Sequence, residues 1–476
     1  MRKILLIGLL SLSILAGEMK SPMAKEVERM KFPPLKWDVP EVGKDIKMLK
    51  ENGSVIFLKE NHNLPLVEIT IYVRGGRLYT DPTDRAVCEL LAPMLERGGT
   101  KDLSPEKFSD ILDFNAISFS VDQGVDHYTI RLSCMKEVLD TAFYLLKQAL
   151  FYPSFNERIM KVEIQNIKDT WRKNLETPSR ALWILSDYVA YDGHPAGSLP
   201  DFTVFESRVK EKLQRIHRMF FVPEHMVIGV VGDVTEEEIR SAFKDFKPDY
   251  KSEGFKDDVK PFSEEPQKKV FFYNLQIPQG YILLQERVRV EPSDLYRVML
   301  MNEILGGGGF TSRIVLKVRN EMGLAYSTYT YFSLFSNPLP PHFYAFSATR
   351  SDAVQDAIDA ILNEIKRIRD EKVPVEEIKV AKDSYLNSTI TRYSNDWRFI
   401  PRIVNLYFRD MPLDYYSKLA ENINNVGIED VLEAARKYIN PDKLYILIVG
   451  DTTKIDLDKL RKFGEVEFVN LEVKGL

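Results

Sequence analysis

The sequence predicts an α+β fold that the chain builds twice, and three observations carry that expectation. The segment MFFVPEHMVIGVVGDVT, ending at Thr235, superimposes on KYINPDKLYILIVGDTT, ending at Thr453. Pro223 then lies over Pro441, Gly232 over Gly450 and Asp233 over Asp451. Between the two segments, residues 251–269 (KSEGFKDDVKPFSEEPQKK) change abruptly to charge, proline and glycine, the composition of a linker. On either side of it, strand-period and helix-period patterns succeed one another in similar order. A long-period duplication follows, with a first unit at 42–250 and a second at 270–476.

Composition bounds what such a chain can do. With 44% apolar and 28% charged residues over 476 positions, it can bury a core in each unit. A net charge of -5 without a basic tract argues against nucleic acid as a main partner, because phosphate binding needs clustered Lys and Arg. Two cysteines, Cys88 and Cys134, make neither a zinc-ribbon set nor a disulfide framework; one bridge between them is open.

The chain begins with Arg2 and Lys3 ahead of an apolar run from Ile4 to Ala16, the pattern of a secretory signal and too short to span a bilayer as a helix. Residues 1–24 are therefore expected to be a signal peptide and polar lead, which places the protein in the periplasm or outside the cell, with an uncleaved anchor as the alternative. In the first unit, Val55–Glu60 and the alternating run Val67, Ile69, Ile71, Val73 read as two strands around the Asn61-His62-Asn63 turn. A helix follows with Val87, Leu90, Leu91, Met94 and Leu95 on its apolar face, ending at Gly98-Gly99. A candidate edge strand at 115–122, a strand marked by Tyr128, Ile130 and Leu132, and an apolar helix from Val138 to Leu150 come next. A long polar helix is expected from Asn156 past Trp171, and the apolar run Met226–Val231 closes the unit.

The second unit opens with strands at Val270–Tyr273 and Tyr281–Gln285 and a helix started by Ser293-Asp294. The four glycines Gly306–Gly309 then predict a tight turn, since glycine permits positive φ and close backbone approach. Ile314, Val315 and Val318 at helical spacing predict an amphipathic helix, Gly323 its C-cap, and Tyr326–Phe332 a strand. A strand at His342–Ser347 and helices at Asp352–Arg369 and from Glu376 onward follow. No Gly-Lys-Ser/Thr follows the glycines, so a phosphate loop is not indicated. Arg319 and Tyr326 are the residues of this stretch that could do chemistry; structurally, Arg319 would be a helix-end cation and Tyr326 an ordinary strand aromatic.

The duplicated order, the stretch GGGGFTSRIVLKVRNEMGLAYS (306–327), the segment YDGHPAG (191–197) and the repeated Gly-Asp ending together resemble the family of pitrilysin, insulinase and mitochondrial processing peptidase. The resemblance covers residues 45 to 455. It implies an α/β sandwich in which each unit is a mixed, mainly antiparallel sheet covered by helices. Members are zinc peptidases with an inverted HxxEH motif, and the shorter ones pair into dimers that enclose a peptide chamber. Here the equivalent helix reads CELLAPMLERGGT, and the five motif positions fall on Glu89, Leu90, Leu91, Ala92 and Pro93, with neither ligand histidine nor base glutamate. Glu163 matches the region of the third ligand, or else sits on the solvated face of its helix.

What the resemblance leaves intact is the contribution of the second unit. Its Arg and Tyr, seven residues apart, fall on Arg319 and Tyr326, and Gly307, Gly308, Gly309 and Phe310 fall where substrate is contacted. His194, before Pro195, matches a family signature but reads as a structural loop histidine. The expectation is a non-catalytic subunit without metal of its own. It would pair with a homologous HxxEH-bearing catalytic subunit that holds the zinc, act on peptide substrates, and supply Arg319 and Tyr326 in trans. The alternative is a peptide-binding or scaffold homodimer of the same fold.

Overall fold

The two apolar runs that superimpose in the sequence are central strands of two equivalent sheets. The computed structural model describes residues 36–262, 265–266, 269–393 and 395–476. The expected signal peptide lies outside these residues, apart from which Asp38–Leu476 form one unit. Among the described residues the first sheet contains β1 (Lys47–Glu51), β2 (Ser54–Glu60), β3 (Leu66–Arg74), β4 (Ser118–Gln123), β5 (His127–Met135) and β6 (Met226–Gly232), ordered β1-β2-β6-β3-β5-β4. The second contains β7 (Val270–Asn274), β8 (Gln279–Arg287), β9 (Ala325–Phe332), β10 (His342–Arg350), β11 (Tyr445–Gly450) and β12 (Val466–Phe468), ordered β12-β7-β11-β8-β10-β9. β6 runs parallel to β2 and antiparallel to β3, and β11 runs parallel to β7 and antiparallel to β8. Both sheets are therefore mixed and mainly antiparallel, as expected.

Helices cover these sheets in matching positions. The first unit supplies α1 (Arg85–Arg97), α2 (Pro105–Phe114), α3 (Leu139–Phe151), α4 (Glu157–Glu176), α5 (Pro178–Ala190), α6 (Val209–Phe220) and α7 (Glu236–Lys244). The second supplies α8 (Leu295–Asn302), α9 (Val354–Asp370), α10 (Val375–Tyr393), α11 (Asp396–Phe408), α12 (Leu419–Asn425), α13 (Ile428–Tyr438) and α14 (Leu457–Leu460). α1 and α8 each follow a Pro-containing turn that ends in aspartate, Asp84 and Asp294. The apolar face expected for α1 is the one that is buried: Val87, Leu90, Leu91, Met94 and Leu95.

Each unit borrows one helix from the other. α11 crosses β6, β3 and β2 of the first sheet so closely that a Cβ at Gly229 would lie 2.6 Å from an Ile400 methyl and 2.8 Å from a Val404 methyl. Reciprocally, α5 places Ala181, Leu182, Leu185 and Val189 against Leu283, Tyr445, Leu447 and Val449 of the second sheet. Burying such side chains contributes about 1.5–3 kcal/mol each, so neither unit completes its own core. A buried charge network adds to this tie. Asp126, before β5, binds the Arg409 guanidinium that follows α11, and its Oδ1 lies 2.7 Å from His127 Nδ1. Burial alone would raise the Asp126 carboxyl, but His127 and Arg409 outweigh it and hold the group below its ordinary value.

Several local expectations need correction. Gly306 and Gly307 do not form a turn; they continue α8 as a π-helical segment, Glu303–Gly307. A Cβ at Gly306 would sit 2.5 Å from Thr330 Oγ1, so glycine is what lets this segment press against β9. The helix expected from Ile314 is also π-helical over Val315–Glu321. The edge strand begins at Ser118, because Asn115 caps α2. Cys88 and Cys134 are free thiols, both buried, and burial pushes them up to about 12 and about 11. Described linker residues 251–262 carry no helix or strand. They are strapped down by Phe255 against Tyr79 and His225 and by Phe262 against Tyr191 and His194. His194 is structural as expected, its Nδ1 accepting from the Ala196 amide and its Nε2 3.0 Å from the Lys260 carbonyl.

Candidate functional site

The second unit assembles a half-buried cation held by exposed rings. The π-helical segment ends near Arg319, Gly323 turns the chain at φ 62°, and β9 begins two residues later. β9 is the edge strand of its sheet and, among the described residues, pairs only with β10. Its register shifts there: Ala325 pairs with Thr349 and Ser327 with Ala348, leaving Tyr326 as the extra residue of a β-bulge. A bulge re-aims the side chain it carries, and Tyr326 is 83% exposed. The Arg319 guanidinium lies 4.5 Å from the Tyr326 ring centre and 4.6 Å from that of Phe310, which is 65% exposed. Ring faces hold a guanidinium without using its in-plane N–H donors, so those donors stay available to a ligand.

Sequence reasoning named Arg319, Tyr326 and Phe310, and the structure brings all three together. Of the glycines, Gly309 has φ 62° with open space around its α-carbon and leads directly into Phe310. Gly307 and Gly308 instead pack on their own helix, where a Cβ would meet Asn302 and Glu303. Missed entirely was the anchor of this segment: Arg313, 5% exposed, donates from Nε and Nη2 to both Glu377 oxygens at 2.7 Å. Such a bidentate pair ties the π-helical segment to α10. The aromatic cluster of β9 divides by face, with Phe332 buried and Tyr331 exposed like Tyr326.

The corner between α1 and α4 of the first unit is filled from within. Glu89 accepts from Arg85 Nε at 3.1 Å and from Trp171 Nε1 at 2.6 Å. Burial first, then the neighbouring Arg77, lowers the Arg85 guanidinium to about 10 against the opposing pull of Glu89. Glu163 is not on a solvated face: it is 6% exposed and both its oxygens lie 3.2 Å from Arg97 Nη1. Pro93, the remaining ligand position, offers no donor atom. Two carboxylates already neutralised by guanidinium groups do not fit a zinc site, whose ligands must be free to face the cation. No group of three His, Cys, Asp or Glu among the described residues is placed to hold a metal ion. Even the edge strand is partly closed, since the Val121 amide on β4 donates to Glu96 Oε1 at 2.6 Å.

Residues 208–385 match the family described as the peptidase M16 inactive domain. The chain is similar to the "non-peptidase homolog YmxG" of Helicobacter pylori, 25% identical over 84% of this chain and 92% of that protein. It is likewise similar to the "uncharacterized zinc protease YmxG" of Bacillus subtilis, 20% identical over 84% and 96% of the two chains. Its fold matches the crystal structure of a peptidase M16 inactive domain from Pseudomonas fluorescens with a TM-score of 0.77, at 18% identity, over 86% of this chain and 99% of that one. The periplasmic protease PqqL from Escherichia coli matches over 91% of this chain but only 51% of its own, at a TM-score of 0.72 and 14% identity. The fold of these solved structures thus extends over most of this chain, in which Glu89 and Glu163 are held in ion pairs with Arg85 and Arg97.

Proposed function

We propose that this M16-type chain is the non-catalytic subunit of a heterodimeric zinc peptidase, exported to the periplasm or cell exterior. The carrying observation is the ring-held Arg319 beside an exposed, bulge-aimed Tyr326, in a chain whose own ligand positions are neutralised. Arg319 would grip a backbone carbonyl or carboxylate of an extended peptide by charge-assisted hydrogen bonds. Tyr326 would donate its phenol proton to the oxyanion that develops at the scissile carbonyl. The free edge of β9 suits such a peptide, which can add to an exposed strand. The partner would carry HxxEH and the zinc. A protease such as PqqL, about half of whose length this chain spans, has room for two such modules in one chain, and a heterodimer would supply the same pair from two.

An affinity pull-down of the tagged protein from its native host, read by mass spectrometry, tests the reading. The expected result is a stoichiometric, exported partner of similar size bearing HxxEH. Recovery of this protein alone would overturn the proposal in favour of a peptide-binding or scaffold homodimer.

A further inference from the structure

The duplicated fold puts a second pocket where the first unit has its neutralised ligand positions. Counted from the start of each helix, Glu89 and Pro93 of α1 correspond to Met299 and to Glu303 just beyond α8. In the same way Glu163, Thr170 and Asn174 of α4 correspond to Ala381, Ser388 and Arg392 of α10. In the first unit the Glu89 and Glu163 ion pairs leave two adjoining hollows at this corner, about 260 and about 400 Å³, which share Glu89, Thr170 and Trp171. In the second, the equivalent corner opens into about 700 Å³ between α8, α10, α11 and β9, within the range of small-molecule sites, roughly 300–1,000 Å³.

The walls of this cavity define a chemistry. Its charged lining is Arg392, Arg402 and one acid, Glu303. Burial raises the Glu303 carboxyl above its ordinary value, and Ser384 Oγ lies 3.4 Å from its Oε1, so cationic character prevails. Arg402 stacks 5.4 Å from the Tyr393 ring centre, and its buried Nε has no hydrogen-bond partner among the described residues. Tyr385, Tyr415, Tyr416 and Phe335 supply ring faces, and Burial keeps the Tyr385 and Tyr393 phenols neutral. Guanidinium groups favour a carboxylate, and rings favour an offset or edge-on aromatic body.

We propose that this pocket binds a small aromatic carboxylate, its anionic end on Arg392 and Arg402 and its ring among the tyrosines. The inference stands on the second unit alone and does not depend on a peptidase partner.

Titration calorimetry on the full chain tests it with indole-3-propionate, its neutral amide indole-3-propionamide, and the cation tryptamine. The acid is expected to bind one per chain, about tenfold or more tighter than the amide, with tryptamine weakest. Arg392→Gln, a change at an exposed position, and Arg402→Gln should each weaken the acid by about tenfold and leave the amide unchanged. Glu303→Gln should tighten it. Equal binding of acid and amide, no binding of the acid at millimolar concentration, or indifference to Arg392→Gln would each overturn the proposal.

Discussion

At the α1–α4 corner, Arg85 and Arg97 are spent on Glu89 and Glu163; beside β9, Arg319 is held by the faces of Phe310 and Tyr326. Both corners position guanidinium groups, but by different means and with opposite results. An ion pair uses the in-plane donors and closes the site. Ring faces fix the same group without engaging its in-plane donors. The first corner is therefore a structural element, and under the proposed function the second is a recognition element. Substitutions should separate them, the former changing stability and the latter changing turnover or binding.

The largest effect is expected at Glu89. Glu89→Ala would leave Arg85, 6% exposed, without its carboxylate and Trp171 Nε1 without its acceptor. Removing one member of a buried pair costs about 3–5 kcal/mol, so urea unfolding should show a loss of that size. A loss below about 1 kcal/mol, the scale of an exposed pair, would dissolve the contrast between the corners.

Acid gives a second, smaller handle on the first unit. His217 is buried with its Nε2 2.8 Å from the Leu150 carbonyl, and burial lowers it to about 4. Because its folded value lies below the unfolded value of about 6.5, its contribution is whole above pH 6.5 and is lost as the pH falls from there to about 4. Between pH 7 and 4.5 this amounts to about 2–3 kcal/mol. The wild type should lose that much more stability over the interval than His217→Gln, measured by denaturant titration at both pH values. Parallel pH profiles for the two proteins would contradict the assignment.

The smallest effect should fall on Phe310. Phe310→Ala removes one of the two ring faces that hold Arg319, worth about 0.5–1 kcal/mol at an exposed site. In an assembled peptidase this should appear as a two- to fivefold rise in KM with an unchanged Tm, by the same estimate. A drop in Tm with no change in KM would make the ring a packing residue.

Much of this arrangement was legible in the sequence because it rests on local period. The alternation of Val67, Ile69, Ile71 and Val73 gave β3, and the paired Gly-Asp endings located β6 and β11. Strands β1 and β12 were not legible, since KMLKE is mostly charged and VEF is only three residues long, and both are stabilised by their neighbours in the sheet. Nor could period reveal the helices exchanged between units, whose partners lie far away in the chain. Glu163 was misplaced because a glutamate in a polar helix reads as solvated until Arg97, sixty-six residues earlier, is seen beside it. The spacing of Arg319 and Tyr326 was visible, but the bulge that aims Tyr326 depends on β10 and lies outside any local signal.

The most direct test is the turnover of an extended peptide by this protein reconstituted with an HxxEH-bearing partner, comparing wild type with Tyr326→Phe. Loss of one oxyanion donor should lower kcat by about 10²-fold, while unfolding stability changes by less than about 0.5 kcal/mol at so exposed a position. Full activity in Tyr326→Phe would contradict the central claim that this chain completes a peptide-hydrolysing site through its second unit.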